Sequence, residues 1–215
     1  MKDLKAAEVL DRMRDALGET GRPAPMECSA DAFPVLVGTI ISLRTRDAVT
    51  RLVSRKLLDE VPDPATMASM DEKRLQELLR PAGFYRQKAR QLREISGVIL
   101  QKHGGRVPDS MEDLLSLPGV GRKTANFVMG MVFGVPSICV DVHVHRISNR
   151  LGLVRTGTPE ETEMALMGIF PEELWTGLNH TMVRFGQGIC RPVRPLCGEC
   201  PFESECPYSS RGVEG

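Results

Sequence analysis

The apolar positions of this chain recur mostly at helical spacing. Leu4, Ala7, Leu10, Met13 and Leu17 fall on one stripe, and Leu52, Leu57 and Leu58 on another, the pattern of amphipathic helices. Pro34 suits the first turn of a buried helix running to about Leu43. Ser69-x-x-Glu72 reads as a capping box opening a helix through Leu79, and Tyr85 to about His103 forms the next. Glu112 to Ser116 ends one helix and Arg122 begins another. Thr158-Pro159-Glu160-Glu161 supplies a cap, a proline at the first helical position and an acid at the third. No segment sustains period-two alternation with hairpin turn signals, so an all-α fold is expected. Residues from Pro207 to Gly215 are expected to form a frayed tail.

Composition changes this picture little. A chain of 215 residues, 41% hydrophobic and 26% charged, can bury one core or two small lobes. The longest apolar run, Phe33 to Leu43, is too short to span a bilayer. The N-terminal stretch MKDLKAAEVLDRMRDAL has no signal-peptide core. A cytoplasmic protein without a membrane partner is therefore expected, and the sequon at Asn179 is not a glycosylation site. Net charge is zero, so no global basic footprint marks a nucleic-acid partner. The clusters Arg44/Arg46, Arg86/Lys88/Arg90/Arg93, Arg122/Lys123 and Arg184/Arg191/Arg194 read as solvated faces unless a motif places them.

The chemistry concentrates between Leu117 and Asp141. Leu117-Pro118-Gly119-Val120-Gly121 makes a tight hairpin between two helices. Gly119 and Gly121 can adopt conformations closed to other residues and admit a phosphate close to the backbone. Amides at the start of the following helix then point at that anion, while Leu117 and Val120 anchor the hairpin in the core. Lys123 lies in the first turn of that helix, where the positive helix end and Arg122 disfavour its ammonium form. A neutral lysine is a nucleophile; a plain phosphate contact is the alternative. Asp141 follows the Gly134-Val135-Pro136 stop and opens DVHVHRISNRL, as a helix cap or as a carboxylate supporting a developing cation. His143 and His145 lack a third nearby ligand and read as structural or DNA-facing.

Four of the six cysteines, Cys190, Cys197, Cys200 and Cys206, follow a C-x6-C-x2-C-x5-C spacing stiffened by Pro192, Pro195, Pro201 and Pro207. In a cytosolic chain this implies a metal site rather than disulfides, and the spacing suits zinc and an iron–sulfur cluster alike. Cys28 and Cys139 read as small core residues.

Together LPGVGRKTAN, VDVHVHRISNRL and the four-cysteine loop resemble the helix-hairpin-helix DNA glycosylase superfamily, most closely its endonuclease III branch, over nearly the whole chain. The resemblance implies two helical lobes flanking a DNA cleft. One is a six-helix barrel lobe of residues 24–135 carrying the helix-hairpin-helix; the other combines residues 1–23 with 136–215 and carries a 4Fe–4S cluster on the four cysteines. It implies a monomeric, nucleoid-associated, bifunctional DNA glycosylase and abasic-site lyase of base excision repair. Its partner is double-stranded DNA containing oxidised pyrimidines or abasic sites. Lys123 resembles the family's nucleophile and Asp141 its carboxylate. Leu117, Gly119, Val120, Gly121, Arg122 and His143 are the implied DNA contacts. Family members also wedge side chains into the gap left by a flipped base. Arg44 stands where glutamine is usual, and Phe84 where an apolar side chain is expected; a core phenylalanine is the competing reading. Adenine-mismatch enzymes of the superfamily lack the lysine and usually carry a further C-terminal domain. Lys123 and an end just after the cysteine loop therefore favour the bifunctional reading. A non-catalytic phosphate clamp would explain the glycines but neither Lys123 nor Asp141.

Overall fold

A computed structural model describes residues 6–18 and 31–209; Leu4 and Cys28 lie outside them. The described residues form eleven α-helices, two short 3-10 turns and no strand. No helix among them is long and apolar enough to cross a membrane. They fall into two compact units, one within Glu27–Val135 and one combining Met1–Met26 with Pro136–Gly215.

The first unit is built on α2 (Ala32–Ser42), AFPVLVGTIIS, which is capped by Asp31 and buries Phe33, Leu36, Val37, Ile40 and Ile41. A helix this apolar must be wrapped by others. α3 (Asp47–Glu60), α6 (Tyr85–His103) and α8 (Arg122–Val132) pack on it, while α4 (Pro64–Ser69) and α5 (Glu72–Leu79) pack on α6, and α7 (Met111–Ser116) on α8. These are seven helices rather than the expected six. The additional one is α4, started by an Asp63 cap and Pro64 at the first helical position. Ser69 ends α4 and opens nothing; Asp71 caps α5 by accepting from the amides of Lys73 and Arg74. On α3 the buried face runs through Val53 and Leu57, whereas Leu52 is 68% exposed. Leu57 is buried and Leu58 packs on the core, so Leu52 alone departs from the expected stripe.

In the second unit α11 (Trp175–Gly188) packs on α1 (Ala6–Ala16) and α9 (Val142–Arg150), and α10 (Pro159–Met167) packs on α9. On α1, Val9, Leu10 and Met13 are buried and Ala7 is exposed. Phe185 and Phe202 meet edge to face at the centre, 6.1 Å between centroids. Thr158 caps α10 as expected, and the Glu161 carboxylate reaches back to the amide of Gly157. The segment from Pro207 to Ser209 is not a frayed tail. Tyr208 lies under the Arg150 guanidinium, 4.2 Å away, and Pro207 packs on Gly152. Residues beyond Ser209 lie outside the described ones.

Candidate functional site

The hairpin joins α7 to α8. Ser110 caps α7, the amide of Val120 closes the turn on the carbonyl of Leu117 at 3.1 Å, and Leu117 and Val120 are buried. Their side chains therefore hold the hairpin to its own core, and only their main chain can meet a ligand. The two glycines differ. Gly119 has φ +68°, and a Cβ there would come within 2.6 Å of Gln91 Nε2, whose amide donates to the carbonyl of Pro118. Gly121 has φ −93°, a conformation open to any residue, and its added Cβ would meet nothing. It is the cap residue of α8 and brings no side chain to the first amides of that helix. Arg122 and Lys123 are exposed on the first turn of α8, with the rest of that helix buried from Thr124 through Asn126.

Asp141 belongs to the other unit. It is the cap of α9, its Oδ1 accepting from the amides of His143 and Val144, each at 2.9 Å. Oδ2 makes no hydrogen bond with the described residues, so one oxygen performs the capping and the other is open. The segment leading to Asp141 is tied to α11 by Asn179, whose amide donates to the carbonyl of buried Cys139 at 2.8 Å. His143 Nδ1 pairs with Arg146 Nη2 at 3.0 Å, over Gly186, which has no room for a Cβ. His145 meets Thr162 Oγ1 and is structural.

Cys190, Cys197, Cys200 and Cys206 are free of disulfides and line a single pocket with Leu196 and Tyr208. Among the described residues no three His, Cys, Asp or Glu converge closely enough to hold one metal ion. Burial pushes the Cys200 thiol up to about 11, opposed by the Phe202 amide and reinforced by the neighbouring cysteines. The loop is stapled to α9: Arg146 donates to the carbonyls of Gly186 and Cys190, and Arg150 to those of Arg191 and Pro192. Arg12 of α1 reaches Pro201 and Glu205 and stacks on Phe202.

Phe84 is 56% exposed, so it is not a core phenylalanine. The Arg44 guanidinium lies 5.3 Å from the centre of its ring. Lys88, grouped with solvated arginines by sequence, is instead 4% exposed. Its Nζ donates to the carbonyls of Ile41 and Leu43 and to Thr45 Oγ1, at 2.7, 2.7 and 2.8 Å. The signal was its register, because Lys88 falls on the same stripe of α6 as Leu92, Ile95 and Ile99.

Residues 37–172 match the HhH-GPD superfamily of base excision DNA repair proteins. An endonuclease III from Thermotoga maritima is 50% identical over 185 residues, covering 86% of this chain and 87% of its own. The chain belongs to the endonuclease III family. A non-covalent endonuclease III–DNA complex superposes with a TM-score of 0.86 at 33% identity, covering 95% of both chains. A trapped endonuclease III–DNA covalent intermediate gives 0.86 at 32%, covering 97% of this chain and 98% of that one. Like its family, the chain is a DNA repair enzyme of the glycosylase and abasic-site lyase class.

The glycines separate by substitution. Gly119→Ala should lower unfolding free energy by about 1–2 kcal/mol, through the left-handed backbone and displacement of Gln91. Gly121→Ser should stay within about 0.5 kcal/mol; urea titrations of both variants check this. Burial pushes Lys88 down to about 8, below the unfolded value of about 10.4. Between those values the unfolded chain binds more protons, so this lysine makes stability rise as pH rises. Unfolding free energy should increase from pH 7 to 10 relative to Lys88→Met. A constant gap between the two proteins would refute the shift.

Proposed function

We propose that the chain removes oxidised pyrimidines from double-stranded DNA through a Schiff base on Lys123 and then cleaves the abasic site on its 3′ side by β-elimination. The observation that carries this reading is Lys123 itself. It is an exposed amine on the first turn of α8, directly after a hairpin whose last glycine brings no side chain to the first amides of that helix. A phosphate docked on those amides brings the neighbouring sugar to the amine. The covalent DNA intermediate trapped in an endonuclease III of the same fold supports the same chemistry here.

The damaged nucleotide leaves the duplex to present its sugar to Lys123. Neutral Lys123 Nζ attacks C1′ as the C1′–N bond to the base breaks, and the base departs with the bonding pair. The sugar ring opens to an iminium on Lys123. Loss of the 2′ proton then expels the 3′ phosphate, and water releases the unsaturated aldehyde from the lysine. Asp141 stabilises positive charge on the sugar or takes the proton from Lys123; its unbonded Oδ2 supports such a role. Arg122, His143 and the main chain of Leu117 to Gly121 hold the backbone, and Arg44 and Phe84 contact the gap left by the flipped base.

Cys190, Cys197, Cys200 and Cys206 fit a 4Fe–4S cluster in their donor set, since four soft donors line one pocket. Bound there, the cluster would supply a covalent crosslink that holds their loop in shape.

Borohydride should trap an enzyme–DNA adduct on abasic or thymine-glycol duplex, and Lys123→Gln should abolish it. Asp141→Asn keeps a capping oxygen, so its stability should match the parent within about 0.5 kcal/mol while base release slows roughly 10²–10⁴-fold. Wild-type protein that forms no adduct defeats the proposal, and full activity in Asp141→Asn reduces that residue to a cap. Purified protein should contain iron and show iron–sulfur absorption in the visible, both lost in Cys200→Ser. Zinc in place of iron would overturn the cluster assignment.

A further inference from the structure

Arg44 and Phe84 share an uncommon backbone. Both are non-glycine residues in the left-handed region, with φ +53° and +57°, a conformation that costs roughly 1 kcal/mol or more for each. Neither residue recovers that cost by burial, because Arg44 is exposed and Phe84 is 56% exposed. The strain instead sets an aromatic ring and a guanidinium against each other at the surface, 5.3 Å apart.

The cause lies beneath them. Ile41 and Leu43 end α2, where the last carbonyls have no partner within the helix. All three protons of the Lys88 ammonium are committed there, to the carbonyls of Ile41 and Leu43 and to Thr45 Oγ1. Thr45 Oγ1 also accepts from the amide of Gly83, at 3.2 Å, immediately before Phe84. Gly83 presses so closely on the turn that a Cβ would stand 2.5 Å from the carbonyl oxygen of Arg44. One buried ammonium thus joins the turn bearing Arg44 to the segment bearing Phe84.

We infer that Lys88 is a positioning residue that presets Arg44 and Phe84 as a single cation–aromatic unit for stacking on bases in distorted duplex DNA. The inference rests on the DNA-repair reading above. Lys88 touches no substrate; it acts through the turn. An aromatic face and a planar guanidinium both stack on bases of any sequence, and holding them in place beforehand spares binding the ordering of two side chains.

The test compares wild type, Lys88→Met, Thr45→Val and Thr45→Ser on two abasic substrates. One is a duplex with 2-aminopurine beside the abasic site; the other is a single-stranded oligonucleotide, which has no gap to fill. In Lys88→Met the 2-aminopurine response should collapse and the borohydride-trapping rate on duplex should fall roughly ten- to a hundredfold. Trapping on the single strand should be unchanged. Thr45→Val should show the same pattern more weakly and Thr45→Ser should restore it, which keeps the question answerable if Lys88→Met fails to fold. Adding Lys88→Met to an Arg44→Ala/Phe84→Ala background should change nothing further. Equal losses on both substrates, or a duplex rate and 2-aminopurine response untouched by these changes, would overturn the inference. A wild-type protein that traps neither substrate would instead bring down the function proposed above.

Discussion

The burial of α2 is the constraint on which the first unit depends. A helix that is apolar on nearly every side has no solvent face, so α3, α6 and α8 must close around it. That closure carries a polar consequence, because the helix ends inside protein and its terminal carbonyls lose water. A hydroxyl could donate to one of them and an amide NH2 to two. An ammonium meets two and a hydroxyl besides, which explains a lysine in the apolar stripe of α6. The same closure places the hairpin, since α8 can lie on α2 only if the chain turns sharply after α7.

The second unit solves a different problem. Its cysteine loop is held internally by short turns alone, and the carbonyls those turns leave over need outside donors. Arg146 and Arg150, four residues apart on one face of α9, supply them to the carbonyls of Gly186, Cys190, Arg191 and Pro192. α9 is also the helix capped by Asp141. The loop, the two arginines and the carboxylate are therefore parts of one rigid element.

Local chemistry was legible in the sequence and long-range chemistry was not. The hairpin, the Thr158 start and the cap at Asp141 each need only a few adjacent residues, and each appears where the pattern placed it. The helix at Pro64 was hidden by a competing capping signal at Ser69. Exposure of Phe84 and burial of Lys88 inverted what residue type suggests, because both follow from contacts with a turn some forty residues earlier. Gly121 was read as conformationally necessary, whereas its φ admits any residue and the missing side chain is what matters.

The clamp of Arg12 on Glu205 spans 193 positions of sequence, and it orders events in time. The unit within Glu27–Val135 is continuous in the chain and can fold while later residues are still being synthesised. α1 emerges from the ribosome before that unit, yet its partners α11 and the segment around Phe202 emerge after it. Val9, Leu10 and Met13, buried in the finished protein, stay uncovered until those later partners are made. That interval is when the nascent chain is most exposed to aggregation and to chaperone capture.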